Sequence, residues 1–229
     1  MPTTHPGTQA PQLSPLHIRK LKYLLWSLMG LTTIWVIVAS EIPLFRRPNE
    51  QAALRAMLWL VLPHAIAGTF ALLSGPFQFS SRLRRRNPKL HRILGRFYVG
   101  AVFLAAPLAV AMAARYHHRH AIYFATATSI QSAAWVIATA CAFLAARARR
   151  IPQHRLWMIR SYGVTFTFML TRVVQLVPPG NHFGQLRFAC AIVGVTLFAF
   201  FTPEIASSAG KLLARGTRVS VQNRLPPER

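Results

Sequence analysis

Three histidines stand where chemistry could be done: His64, His91 and His154. His64 follows Pro63 inside an apolar run, and Gly68, Ala71 and Gly75 come four, seven and eleven residues later. At helical spacing all four share one face. An imidazole above a groove of small residues suits a b-type haem, because the ring nitrogen ligates iron and the flat macrocycle lies against bare backbone. The same stripe suits helix packing, since small residues let membrane helices approach and a His can hydrogen-bond across the contact. His91 and His154 each open a later apolar run and each is followed by Arg, a second Arg and Tyr. These are Arg92, Arg96 and Tyr98 in one case, and Arg155, Arg160 and Tyr162 in the other. If the two runs pair, the imidazoles could hold a second haem, a quinone or an anion. The alternative places His, Arg and Tyr at the lipid headgroups, where such residues are favoured. The haem reading makes His64, His91 and His154 the iron ligands.

Arg172 is the basic residue set within an apolar run, where an arginine needs a partner. Glu41, an anionic ligand such as a haem propionate, and snorkelling to the interface are the alternatives. Arg172 joins His64, Gly68, Gly75, His91 and His154 as a candidate cofactor-binding residue. Ser161, Thr165, Phe168, Arg172 and Gln175 fall on one helical stripe, and Thr128, Ser132, Trp135 and Thr139 form a milder one beside Gln131. The stripes suit a cavity lining or interhelical hydrogen bonds. His117, His118 and His120 form a short tract with weak metal-binding potential.

The elements that must position these residues are apolar helices. The 229 residues are 53% hydrophobic with mean hydropathy +0.33. Six runs approach the ~20 apolar residues needed to cross a bilayer: 23–40, 56–79, 97–114, 122–146, 156–177 and 186–206. The expected fold is therefore all-α, a polytopic membrane protein of about six transmembrane helices with a four-helix core at 56–177. The expected organisation is a disordered tail at 1–18, the membrane domain at 19–208 and a basic tail at 209–229. Basic residues gather at alternate ends of the runs: Arg19, Lys20 and Lys22, then Arg82 to Arg96, then Arg147 to Arg160, then the tail from Lys211. The other side holds Arg46, Arg47, Arg55, Arg115, Arg119 and Arg187. Lys and Arg accumulate on the cytoplasmic side, so both termini are expected there.

A net charge of +23 invites a nucleic-acid reading. Its placement between apolar runs points instead to anionic lipid headgroups. There is no Asp and there are only four Glu, which disfavours chemistry by paired carboxylates. Cys141 and Cys190 lie in separate apolar runs, expected near opposite membrane faces as buried small hydrophobes, so no disulfide is expected. No nucleophile elbow, phosphate-binding loop or His-Glu-x-x-His motif is present.

At these residues the chain resembles a known family. His64, Gly68, Gly75-Pro76, His91-Arg92-x-x-Gly95-Arg96-x-Tyr98 and His154-x-x-Trp157-Met158-x-Arg160-Ser161, with Arg172 beyond, are similar to the bacterial membrane-protein family numbered 2306 among domains of unknown function. The resemblance spans roughly residues 57–175. It implies a multi-helix domain in a bacterial inner membrane and supplies no activity. A looser similarity is to di-haem b-type cytochromes and ferric reductases. The functional expectation is a membrane redox component binding haem b or quinone. Its rivals are a non-catalytic accessory subunit of a larger membrane complex and a small-anion transporter.

Overall fold

The computed structural model describes residues 27, 30–35, 38, 56–115, 121–175 and 183–222, apart from the side chains at 121, 172–175, 183, 185 and 205–222. Among the described residues from 58 onwards, six helices follow one another: α1 (Leu58–Gln78), α2 (Ser81–Arg86), α3 (Pro88–Ala114), α4 (Ala121–Arg147), α5 (Ile151–Gln175) and α6 (Phe183–Gln222). No strand occurs among the described residues. Most of the expected first run, 23–40, lies outside them, as do Glu41, His117, His118, His120 and His182. Contacts divide the chain into two units, and α1 to α5 lie in the unit Thr33–Pro203.

Local chemistry sets the helix boundaries. Ser80 Oγ accepts from the Leu83 amide at 3.2 Å and starts α2. Asn87 Oδ1 accepts from the Leu90 amide at 3.0 Å, and Pro88 opens α3 where its missing N–H costs nothing. The α4–α5 turn closes when the Arg150 amide donates to Ala145 O at 2.9 Å and the Arg149 amide to Ala146 O at 3.1 Å. That closure needs left-handed backbone, and Arg149 supplies it with φ 57°.

The four long helices α1, α3, α4 and α5 form a ring: α1 packs on α3, α3 on α4, α4 on α5, and α5 back on α1. Buried alanines (Ala67, Ala71, Ala105, Ala109, Ala138 and Ala142) let the backbones approach closely. Tyr98, Val102, Trp135 and Val164 fill the centre. Four described helices are long and apolar enough to cross a membrane: α1, α3, α4 and Leu186–Glu204 of α6. Helix α5 is not among them. At 25 residues it spans about 37 Å, but it carries His154, Arg155, Arg160 and Arg172 and turns hydroxyls towards the ring. Two boundaries also differ from the sequence expectation. Helix α3 starts at Pro88, because the cap at Asn87 extends it through a charged turn, and α6 continues to Gln222 through much of the basic tail.

The ring is held at its centre by hydroxyls. Tyr98 Oη lies 2.8 Å from Ser161 Oγ and 2.9 Å from Thr165 Oγ1. The Trp135 indole N–H donates to Thr165 Oγ1 at 2.8 Å, and Thr139 Oγ1 lies 2.7 Å from Ser161 Oγ. Nearer the other end, the Gln131 amide donates to Thr167 Oγ1 at 2.8 Å. Trp135 and Thr139 of the α4 stripe, with Gln131 beside it, and Ser161 and Thr165 of the α5 stripe thus serve interhelical hydrogen bonds. Cys141 and Cys190 are free thiols; the sequence predicts both to be buried, but Cys141 is half-buried and Cys190 exposed.

Two stability measurements follow. Tyr98→Phe removes the hydroxyl shared by α3 and α5 and should cost about 1–2 kcal/mol, above the ~0.6 kcal/mol average for membrane hydrogen bonds because several partners lose it. Thermal unfolding in detergent measures this, with the exposed Thr202→Ala as a control expected near zero. Arg149→Gly should raise stability by roughly 0.5–1 kcal/mol, as relief of the left-handed cost exceeds the added chain entropy of glycine.

Candidate functional site

The last turn of α1 is shaped by Gly75 and Pro76. Pro76 has no N–H, so the Leu72 carbonyl one turn earlier loses its helical donor. The Tyr162 hydroxyl of α5 donates to Leu72 O at 3.1 Å. A Cβ on Gly75 would meet the Tyr162 ring, so glycine is what admits it. Tyr162 also lies against Phe79, with ring centroids 5.6 Å apart. Glycine makes the notch, proline frees the carbonyl, and one tyrosine uses both.

Beyond this clamp is a cavity of about 190 Å³, lined by Gln78, Phe79, Arg84, His154, Arg155, Met158 and Ile159. Gln78 is only 6% exposed, and its Nε2 has no hydrogen-bond partner. Its backbone carbonyl accepts from Arg84 Nη1 at 3.2 Å. Its Oε1 packs beside Gly95, 3.4 Å from where a Cβ would stand. His154 Nδ1 lies 2.9 Å from the Ala142 carbonyl of α4. A carbonyl only accepts, so Nδ1 carries the proton and Nε2 remains for other work. His91 is close enough to feel the charges of Arg84, His154 and Arg92, and its own buried Nδ1 has no partner. No Asp or Glu occurs between residues 51 and 203 to balance these cations.

The profile of a family of predicted membrane proteins, DUF2306, matches residues 61–205. The chain belongs to that family. Comparison with curated proteins and with solved structures gives no match.

The DUF2306 residues expected to act are thus sorted by the fold. His91 and His154 lie at the same end of the bundle, near enough to interact electrostatically. His64 does not join them. It lies 14 residues before Gln78, about 21 Å along α1, where its Nδ1 bonds the Ala105 carbonyl at 2.9 Å. Gly68 faces open space, but the groove expected at Gly75 is filled by Tyr162. Arg172 lies on α5 with its side chain outside those described. Arg92, Arg96 and Arg155 are exposed at the end of the bundle.

Tyr98, Arg160 and Tyr162 are instead turned into the bundle. Tyr98 is fully buried because its hydroxyl finds partners inside the ring. Tyr162 is drawn inwards by the Leu72 carbonyl. Arg160 is 8% exposed, its guanidinium 4.2 Å from the Trp157 ring centroid and 5.5 Å from that of Phe200. Sequence reasoning missed Gln78 and Arg84 as a unit; the available signal was a carboxamide closing an apolar helix just before an arginine run.

The notch at Gly75 holds the Tyr162 ring, and the cavity is smaller than the roughly 300–1,000 Å³ of pockets for drug-sized ligands. Among the described residues no group of three or more His, Cys, Asp or Glu could hold a metal ion.

The clamp has a direct test. Gly75→Ala should destabilise the protein by about 1–3 kcal/mol, the usual cost of overpacking. In a Tyr162→Ala background the same change should cost almost nothing. A double-mutant cycle by thermal unfolding in detergent measures the coupling.

Proposed function

We propose that this membrane protein binds anions in the cavity at the basic end of its bundle, and that this end faces the cytoplasm. Gln78 carries the reading: it lines the cavity, and its buried Nε2 is a hydrogen-bond donor with no acceptor in the structure. A buried donor left so costs about 1–3 kcal/mol unless something accepts from it. The neighbouring wall offers Arg84, Arg155 and His154, which favour an acceptor bearing negative charge. The cytoplasmic placement is supported by the gathering of Lys and Arg at this end. Binding suits the interior better than a through-going pore, because Tyr98, Trp135 and Val102 close the bundle beyond the cavity.

A quinone headgroup is the second reading, and the pinned imidazole of His154 favours it. With Nδ1 held by Ala142, Nε2 is left to accept a proton from a quinol, while Gln78 Nε2 could donate to a ring carbonyl. This would keep the protein among membrane redox components.

Inorganic phosphate separates the readings. Added to delipidated protein at low chloride, it should raise the thermal midpoint, and the effect should shrink as sodium chloride screens the site. The Arg84→Ala/Arg155→Ala protein should lose roughly 30-fold in phosphate affinity, taking about 1 kcal/mol per cation. Equal shifts in both proteins, or none in either, would remove the anion reading. A soluble quinol analogue that binds where phosphate does not would favour the redox reading.

A further inference from the structure

The cavity lining combines two chemistries. Gln78, Arg84, His154 and Arg155 are polar or cationic, while Phe79, Met158 and Ile159 are apolar. Arg155 and Ile159 are one turn apart on α5, with Ile159 about 6 Å further along the helix from its charged end. Both are exposed, Ile159 at 45%. On α1, Phe77 and Leu73, one and five residues before Gln78, are 58% and 56% exposed. Along α5 the exposed surface at the cavity therefore changes from cationic to apolar within one helical turn. A free inorganic anion uses only the polar part of the lining.

We propose that the occupant is the phosphodiester headgroup of an anionic glycerophospholipid, an inference that rests on the anion reading above. The phosphate oxygens accept from Gln78 Nε2, Arg84 and Arg155. The glycerol backbone lies against Met158 and Ile159. The acyl chains run down the exposed surface past Phe77 and Leu73. A second observation selects an anionic headgroup over a zwitterionic one. Arg85, Arg86, Lys89 and Arg92 are exposed at the same end, so a choline group would bring a further cation among them. The missing carboxylates between residues 51 and 203 then have a physical counterpart, with the lipid supplying the negative charge that the chain does not.

The test uses the full chain in dodecyl maltoside, delipidated and then titrated with phosphatidylglycerol, phosphatidylcholine or inorganic phosphate. Native mass spectrometry and thermal midpoints provide the readouts. The expected result is one phosphatidylglycerol per chain, bound at least about tenfold more tightly than phosphatidylcholine and displacing phosphate. Arg155→Ala should weaken phosphatidylglycerol roughly fivefold. Because Arg155 is exposed, this variant should fold even where Arg84→Ala fails. Ile159→Ser should weaken the lipid roughly fourfold through lost apolar contact and leave phosphate affinity unchanged. If phosphate binds but phosphatidylglycerol neither displaces it nor outbinds phosphatidylcholine, the lipid assignment is overturned while the anion reading stands. An Ile159→Ser protein that keeps full lipid affinity also overturns it. If neither phosphate nor lipid binds, both readings fall.

Discussion

The Tyr98 hydroxyl is where the bundle is tied together. It comes from α3, meets Ser161 and Thr165 of α5, and through them reaches Trp135 and Thr139 of α4. Thr165 donates to the Ser161 carbonyl and accepts from the indole, while Thr139 donates to the Trp135 carbonyl and so accepts from Ser161. Both hydroxyls of α5 have then spent their protons, and the phenol's single proton is shared between Ser161 and Thr165. An apolar bundle offers no water to repair a missing bond, so such a knot fixes the rotation and depth of three helices at once. The alanine-rich faces allow close approach, and the knot decides which close approach is taken.

The cavity inherits its shape from that arrangement. With α5 set against α3 and α4, Tyr162 falls opposite the notch at Gly75 and reaches the Leu72 carbonyl. That contact holds the end of α1, and so places Gln78 and Phe79 facing His154 and Met158. His154 is held from the other side by Ala142 of α4. The polar part of the lining is therefore assembled by contacts made in an apolar setting, while its arginines come from the charged turn α2 and the first turns of α5.

Much of this was legible in the chain. The apolar runs announce membrane helices, and the recurrence of His-Arg followed by Arg and Tyr announces that two of them share an end. The serine and threonine stripe of α5 points to a face turned inwards. The uses of the two tyrosines were not legible. Tyr98 and Tyr162 occupy equivalent places in the repeated pattern and look equally interfacial, yet each is claimed by a partner more than sixty residues away. The Gly75-Pro76 pair reads as an open groove or a kink, because nothing local reveals that a ring from another helix fills the space. Gln78 was overlooked for the same reason. A single carboxamide at a helix end is unremarkable until the fold sets arginines and a histidine around it.

The clamp at Leu72 also bears on how the protein is made. Pro76 leaves that carbonyl without a donor as soon as α1 enters the bilayer, and the donor that satisfies it lies 90 residues later in the chain. At about 5–20 residues per second, ribosomal synthesis takes roughly 5–18 seconds to reach it. Over that interval α1 and α3 can pair, but the end of α1 carries an unmet acceptor and an unfilled notch. Helix α5, too polar to be a strong membrane segment alone, arrives with the group that meets both. Its docking therefore completes α1, because one tyrosine fills the notch and satisfies the carbonyl together.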